Sequence, residues 1–170
     1  DYAPCICSDG KNVYIAWQNA TEAITVTVES TAEDVASKFD IAVAVLEEDD
    51  CFSTTIFENA NLDMLPNVYT DGENTYVAWV NNSENDWFGN NACNSILYSR
   101  YSNGLWDSPV EAYSKLNSVG EVVIDYNGDV HLAYTLDVDG DISTIDDIRV
   151  YEDGKRISNA SKLELCPYYM

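Results

Sequence analysis

The amino-acid sequence predicts an all-β fold built from about three four-stranded antiparallel sheets. One phrase of the chain occurs three times, and each copy reads as two apolar strands joined by an Asp-Gly or Asn-Gly turn. The copies are SDGKNVYIAWQ (8–18), TDGENTYVAWV (70–80) and YNGDVHLAYTL (126–136). The second strand of each copy is apolar at successive positions, which indicates a sheet that is covered on both of its faces.

The interval between the copies defines a repeat unit. Trp17 and Trp79 are 62 residues apart, as are Pro4 and Pro66, and Tyr134 follows Trp79 after 55 residues. A period of this size corresponds to one supersecondary unit per repeat. The sequence therefore predicts one domain over 1–170, made of units that cover about 1–60, 61–115 and 116–170.

Each unit continues with a predicted third strand and a predicted fourth strand. The third strands are 39–50, 94–104 and 146–155, and the fourth strands are 51–59, 105–113 and 156–165. Four consecutive antiparallel strands that are buried on both faces form the blade of a β-propeller. Closed propellers typically have about four to eight blades. Three blades therefore predict part of a larger propeller, completed by further blades of a longer chain or by a second copy in a homodimer.

The first unit departs from the repeat between its second and third strands, where residues 19–38 form an insertion. Within it, TAEDVASKF begins with a threonine suited to an N-cap and continues with acidic residues and helical apolar spacing. This pattern predicts a short helix near 32–38. Insertions of this kind lie at the rim of a blade, where loops are free to carry binding residues.

The charge of the chain restricts its partners. Thirty acidic and eight basic residues give a formal net charge of −22. Such a surface repels nucleic acid phosphates and anionic lipid headgroups, so we expect neither nucleic acid nor membrane insertion. The five cysteines fit no zinc-binding spacing, and their odd number leaves at least one unpaired and the disulfide pairing open.

The acidic segment LDVDGDISTIDD (136–147) is the candidate metal site. Calcium binds about six to eight hard oxygen ligands, and alternating carboxylates in a tight loop supply such ligands. The segment resembles the calcium loops of dockerins and of integrin-type propeller repeats. The alternative is an acidic hairpin loop that binds no ion. The candidate ligands are Asp137, Asp139, Asp141, Asp146 and Asp147.

Trp87 and Phe88 are the candidate ligand-binding residues, because they lie in a long polar loop, NNSENDWFGNNACN (81–94). Loop aromatics flanked by Asn and Asp are typical of sugar-stacking or protein-docking sites. The alternative is a loop that packs back onto its own blade. No catalytic residue is predicted, since the single histidine, His131, occupies a strand position that holds Tyr14 and Tyr76 in the other copies.

The segment SILYSRYSNGLWDSPVEAY (95–113), with the VHLAY strand that follows, resembles blades of bacterial secreted propellers of the sialidase-like superfamily with BNR-type repeats. Ser102-Asn103-Gly104-Leu105-Trp106 is similar to the Asp-box of that superfamily, S-x-D-x-G-x-T-W, without its aspartate. The resemblance implies an extracellular or cell-surface β-propeller from a bacterium. The degenerate box argues against sialidase activity.

Three hypotheses for function follow. The first is a non-catalytic extracellular binding or scaffold module that presents its rim loops to a glycan or protein. The second is a fragment of a carbohydrate-active, sialidase-like propeller enzyme whose catalytic residues lie in other blades. The third is a structural spacer stiffened by calcium.

Overall fold

A computed structural model describes residues 1–47, 51–87, 92–141, 144 and 147–158. Within these ranges the chain forms three antiparallel sheets in sequence order. Sheet 1 has the order β1-β2-β3-β4, and α1 lies between β2 and β3. Its elements are β1 (Tyr2–Ser8), β2 (Val13–Ala20), α1 (Ala32–Ala36), β3 (Phe39–Leu46) and β4 (Phe52–Phe57). No helix in the described part of the chain has the length and apolar character that a membrane crossing needs.

Sheet 2 has the order β5-β6-β7-β8, with β9 paired to β7 as well. The predicted fourth strand over 105–113 is wrong as a single element, because it is divided into β8 and β9. Pro109 lies in the break, and proline has no N–H to donate to a strand partner. The strands are β5 (Leu62–Thr70), β6 (Thr75–Asn82), β7 (Asn94–Ser102), β8 (Leu105–Trp106) and β9 (Val110–Leu116).

Sheet 3 has the order β10-β11-β12-β13. Its strands are β10 (Val119–Tyr126), β11 (Val130–Asp137), β12 (Ile148–Glu152) and β13 (Lys155–Arg156). The fourth strand of this unit was predicted over 156–165. Residues 159–165 of that prediction lie outside the described residues. Three antiparallel sheets with the predicted four-strand order are thus confirmed, sheet 2 having β9 as an additional strand, and α1 confirms the predicted helix. Thr31 caps α1 by accepting a hydrogen bond from the Asp34 backbone N–H at 3.1 Å.

Two apolar cores lie between the three sheets, one on each face of sheet 2. The core between sheets 1 and 2 contains Ile41, Val43 and Trp79, and the core between sheets 2 and 3 contains Val80 and Tyr134 among others. Every residue of β6 is buried, because alternate side chains enter the two cores. The predicted coverage of both faces is therefore confirmed for sheet 2.

Within the described part of the chain, no other sheet packs on the outer face of sheet 1, which we call the open face. Trp17 lies on this face opposite Ala42 and is partly exposed, so the coverage of both faces predicted for the second strands is not seen here among the described residues. Around it, Ile6 and Phe52 are 67% and 73% exposed. Trp17 occupies the same position of its sheet as Trp79, but among the described residues only Trp79 has a neighbouring sheet against it.

The three repeated turns have positive φ at their glycines, Gly10, Gly72 and Gly128, and not at the preceding Asp or Asn. The first two turns are four-residue loops in which the aspartate accepts backbone hydrogen bonds. Asp71 Oδ1 accepts from the N–H groups of Glu73 and Asn74 at 2.8 and 2.7 Å. These bonds, led by the one from Asn74, lower the pKa of Asp71.

The first strand of each sheet contains a β-bulge. The pairing register shifts between Tyr2 and Cys5, between Met64 and Asn67, and between Val119 and Val122. The Pro4 and Pro66 repeat noted in the sequence falls in two of these bulges, where the strand ladder is interrupted and a proline is tolerated. Gly120 begins the third bulge.

Replacing Gly120 with alanine is expected to destabilise the fold by about 1–3 kcal/mol through overpacking. A Cβ at this position would lie 2.2 Å from Thr135 Oγ1, and Thr135 is only 2% exposed. Chemical denaturation of Gly120→Ala measures the loss. Adding Thr135→Ala removes the clashing oxygen and should recover part of the stability; a double variant less stable than both single variants would contradict this packing.

Candidate functional site

The first strands of the three sheets lie side by side, since β5 contacts both β1 and β10. A cleft of about 620 Å³ opens where these strands begin. Its lining is mostly apolar and comes from all three sheets, α1 and the loop after β6. The lining residues are Asp1, Tyr2, Gln18, Val35, Phe39, Met64, Leu65, Trp87 and Val119. We call this region the axial cleft.

The loop that carries Trp87 to the axial cleft is held by hydrogen bonds to a side chain at the end of β6. Asn82 is fully buried, and its Oδ1 accepts from the backbone N–H groups of Glu84 and Asp86 at 3.1 and 2.9 Å. The loop then crosses to the first unit, where the indole Nε1–H donates to Ala32 O at 3.2 Å. The Trp87 ring meets Phe39 edge to face with centroids 5.4 Å apart. Trp87 therefore contacts the first unit. Phe88 lies outside the described residues.

Gln18 is the residue of the cleft that sequence reasoning missed. It is 1% exposed, and its Nε2 makes no hydrogen bond within the described part of the chain. A buried amide donor without a partner costs about 1–3 kcal/mol. The available signal was a polar residue in an apolar strand, at the position where the second copy of the repeat has Val80.

Asp63 is a buried carboxylate on the opposite face of β5 from Met64. It is fully buried, and Asn81 Nδ2 and Asn59 Nδ2 donate to its two oxygens at 2.6 and 2.5 Å. Burial raises the pKa of Asp63 to about 7 in spite of these bonds. The sheet separates this carboxylate from the axial cleft.

The acidic loop after β11 brings together three of the five predicted metal ligands. One carboxylate oxygen from each of Asp137, Asp139 and Asp147 lies within 4.8 Å of the others. Burial, with the charges of Asp147 and Asp139, raises the pKa of Asp137. Asp141 is outside this group, and its carbonyl accepts from Thr144 Oγ1 at 2.8 Å. Asp146 lies outside the described residues.

Other ionisable groups lie apart from the axial cleft. His131 Nδ1 is 2.7 Å from Asp153 Oδ2, and this hydrogen bond raises the pKa of the histidine. Arg100 pairs across the sheet with Tyr76 at the turn end of β6, whereas Arg149 pairs with Leu136 near the other end of β11. These two arginines therefore do not form a carboxylate clamp.

Cys5, Cys7 and Cys93 are free thiols. Burial raises the pKa of Cys5 to about 11 and that of Cys7 to about 12. Cysteine reactivity requires the thiolate, so these two thiols are poor nucleophiles at neutral pH.

Comparison with solved structures shows a propeller-like fold. Trypanosoma rangeli sialidase in complex with 2,3-difluorosialic acid aligns with a TM-score of 0.53 and 15% identity over 89% of this chain and 27% of the sialidase chain. A thermostable family-43 glycoside hydrolase aligns with a TM-score of 0.50 and 13% identity over 99% of this chain and 61% of that chain. The chain thus spans about a quarter of the sialidase. No family model and no curated protein sequence matches it.

Proposed function

We propose that this chain is part of a non-catalytic, carbohydrate-binding propeller at the cell surface or outside the cell, and that the axial cleft holds the glycan. The observation that carries the proposal is the buried side-chain amide of Gln18, whose Nε2 has no hydrogen-bond partner among the described residues, in a cleft with aromatic walls. Such a cleft combines apolar surface with a few placed polar groups, as small-molecule sites usually do.

The aromatic lining suits the apolar faces of a sugar ring. Trp87 and Phe39 contact each other edge to face, and Tyr2 lines the cleft beside them. Aromatic rings bury large areas and can stack on a flat apolar partner, while their polar atoms remain available for hydrogen bonds. The Trp87 Nε1–H already donates to Ala32 O, which holds the indole in one orientation for a ligand.

The polar groups of the cleft suit sugar hydroxyls. After a side-chain rotation that exposes it to the cleft, Gln18 Nε2 can donate to a hydroxyl oxygen, and the Asp1 carboxylate can accept from a hydroxyl hydrogen. A hydroxyl that accepts from Gln18 would remove the cost of the unpaired amide on binding. Only a ligand with a hydrogen-bond acceptor beside Gln18 gains this free energy. The site therefore favours a polyhydroxylated ligand over an apolar one.

The enzyme-fragment hypothesis is the second candidate, and the likeness to sialidase and glycoside hydrolase structures supports it. Glycoside hydrolysis usually requires a pair of carboxyl groups about 5–10 Å apart across the scissile bond. Among the described residues that line the axial cleft, Asp1 is the single carboxylate. Binding without hydrolysis is therefore our proposal for this part of the chain.

Replacing Gln18 with leucine is expected to reduce glycan affinity about tenfold or more while leaving the melting temperature unchanged or higher. The leucine removes a donor that the ligand would bind, and it also removes the cost of burying that donor unpaired. Glycan-array screening would identify a ligand, and isothermal titration would compare its affinity for the wild type, Gln18→Leu and Trp87→Ala.

Trp17→Ala is the matched control, because Trp17 lies on the open face of sheet 1 and outside the cleft. Its glycan affinity should equal that of the wild type. An array without a glycan ligand, or a ligand whose affinity survives both cleft substitutions, would contradict the proposed site. Release of a chromophore from aryl glycosides by the same protein would favour the enzyme hypothesis instead.

We also propose that the open face of sheet 1 is covered by another four-stranded sheet, from a longer chain or from a second copy. The support is the repeat itself: Trp17 corresponds to Trp79, which is fully buried by the adjacent sheet through a stacked contact with Phe57 at 4.9 Å. Light scattering of this chain over a range of concentrations would distinguish a homodimer from a monomer that lacks its neighbouring blade.

A further inference from the structure

We propose that the loop between β11 and β12 binds one calcium ion through the carboxylates of Asp137, Asp139 and Asp147. The inference is independent of the glycan proposal, because none of these residues lines the axial cleft.

The spacing of the oxygens fits the coordination sphere of calcium. One carboxylate oxygen from each aspartate lies within 4.8 Å of the other two. Calcium–oxygen distances are about 2.3–2.6 Å, so two ligands on opposite sides of the ion are separated by about 4.6–5.2 Å. All three oxygens can therefore contact one ion without a large movement of the backbone.

Two buried oxygens in this group have no hydrogen-bond donor in the described part of the chain. They are Asp137 Oδ2 and Asp147 Oδ1, and Asp137 is only 4% exposed. A buried carboxylate oxygen without a donor is costly, and several negative charges in one place increase that cost. A divalent cation would satisfy these oxygens and neutralise the charge together.

Backbone N–H groups of described residues in the loop donate to the carboxylates. Asp137 Oδ1 accepts from the Gly140 N–H at 3.1 Å, and Asp139 Oδ1 accepts from the Asp141 N–H at 2.8 Å. Asp147 Oδ2 accepts from the Asp139 N–H at 2.8 Å, which joins the two ends of the loop. These hydrogen bonds hold the three carboxylates in place before an ion binds, and this lowers the entropic cost of binding.

The position of the loop indicates what the ion would stabilise. The Asp137 N–H donates to Ser118 O at 2.9 Å, and Asn117 Nδ2 donates to Val138 O at 2.9 Å. Residues 117 and 118 connect sheet 2 to sheet 3, because they lie between β9 and β10. Calcium at this loop would hold the connection between the two sheets and raise the stability of the third blade.

Titration of chelator-treated wild-type protein with calcium chloride is the test. We expect one ion per chain and a rise of several degrees in the melting temperature at saturating calcium. Asp139→Asn should weaken calcium affinity at least tenfold, and this variant should fold normally because Asp139 is exposed. Glu33→Gln, which removes an exposed charge on α1, is the matched control and should bind like the wild type.

Three results would overturn the inference. They are the absence of both calcium heat and a melting shift in the wild type, an Asp139→Asn affinity equal to that of the wild type, and an equal melting shift with magnesium chloride. The last would indicate general screening of the acidic surface, since magnesium requires shorter bonds of about 2.0–2.1 Å in a stricter octahedron.

Discussion

Trp79→Ala is expected to lower the free energy of unfolding by about 3–5 kcal/mol, the range for removing a large aromatic side chain from a core. Trp79 is fully buried between sheets 1 and 2. Its ring stacks on Phe57 at 4.9 Å with an interplanar angle of 23°, and the cavity left by alanine would lie between two rigid sheets. Chemical denaturation followed by tryptophan fluorescence and by circular dichroism would measure the loss.

Trp17→Ala is the matched control, since the repeat places Trp17 at the corresponding position of sheet 1. Trp17 is partly exposed on the open face, so truncation should cost roughly 1–2 kcal/mol, in proportion to the smaller apolar area removed from water. Equal losses for the two variants would contradict the packing described for sheet 1. A larger loss for Trp17→Ala would indicate that a second copy covers that face in solution.

The second large effect concerns pH. Burial raises the pKa of Asp63 from 3.8 to about 7. Below about pH 4 the carboxyl group is protonated in both the folded and the unfolded chain. Between pH 4 and 7 the unfolded chain loses this proton while the folded chain keeps it, so folding stability falls as pH rises. We expect Asp63 to account for a loss of about 2–3 kcal/mol between pH 5 and 8, at about 1.4 kcal/mol per pKa unit.

Asp63→Asn removes this titration and keeps an amide oxygen that can accept from Asn81 or Asn59. The variant should therefore lose less stability than the wild type between pH 5 and 8, by the same 2–3 kcal/mol. Urea denaturation at several pH values would measure both profiles. Asp107→Asn, at an exposed carboxylate, should leave the wild-type slope intact. A wild-type slope that persists in Asp63→Asn would assign the pH dependence to other groups.

Most of the architecture could be predicted from local sequence signals. The three copies of the repeated phrase predicted the three sheets, because turn residues and apolar runs act over a few neighbouring positions. Thr31 and the acidic residues after it predicted α1 for the same reason. Pro109 was the signal that the fourth strand of sheet 2 would be divided.

The candidate sites were predicted in part. Trp87 and three of the five aspartates were named from the sequence, since an aromatic residue in a polar loop and alternating carboxylates are visible locally. Gln18 and Asp63 were not, because their importance comes from burial. The axial cleft itself combines residues from three sheets, and a contact between Trp87 and Ala32 has no signature in a single sequence.

The sequence by itself determined the repeated blade, its turns and the acidic loop, all of which depend on residues close together along the chain. Only the tertiary structure decided which faces are covered and which polar groups are buried. Trp17 and Trp79 stand in almost the same local sequence, yet one is partly exposed and the other is fully buried. The reason is that burial depends on the neighbouring sheet, and a local pattern does not specify that neighbour.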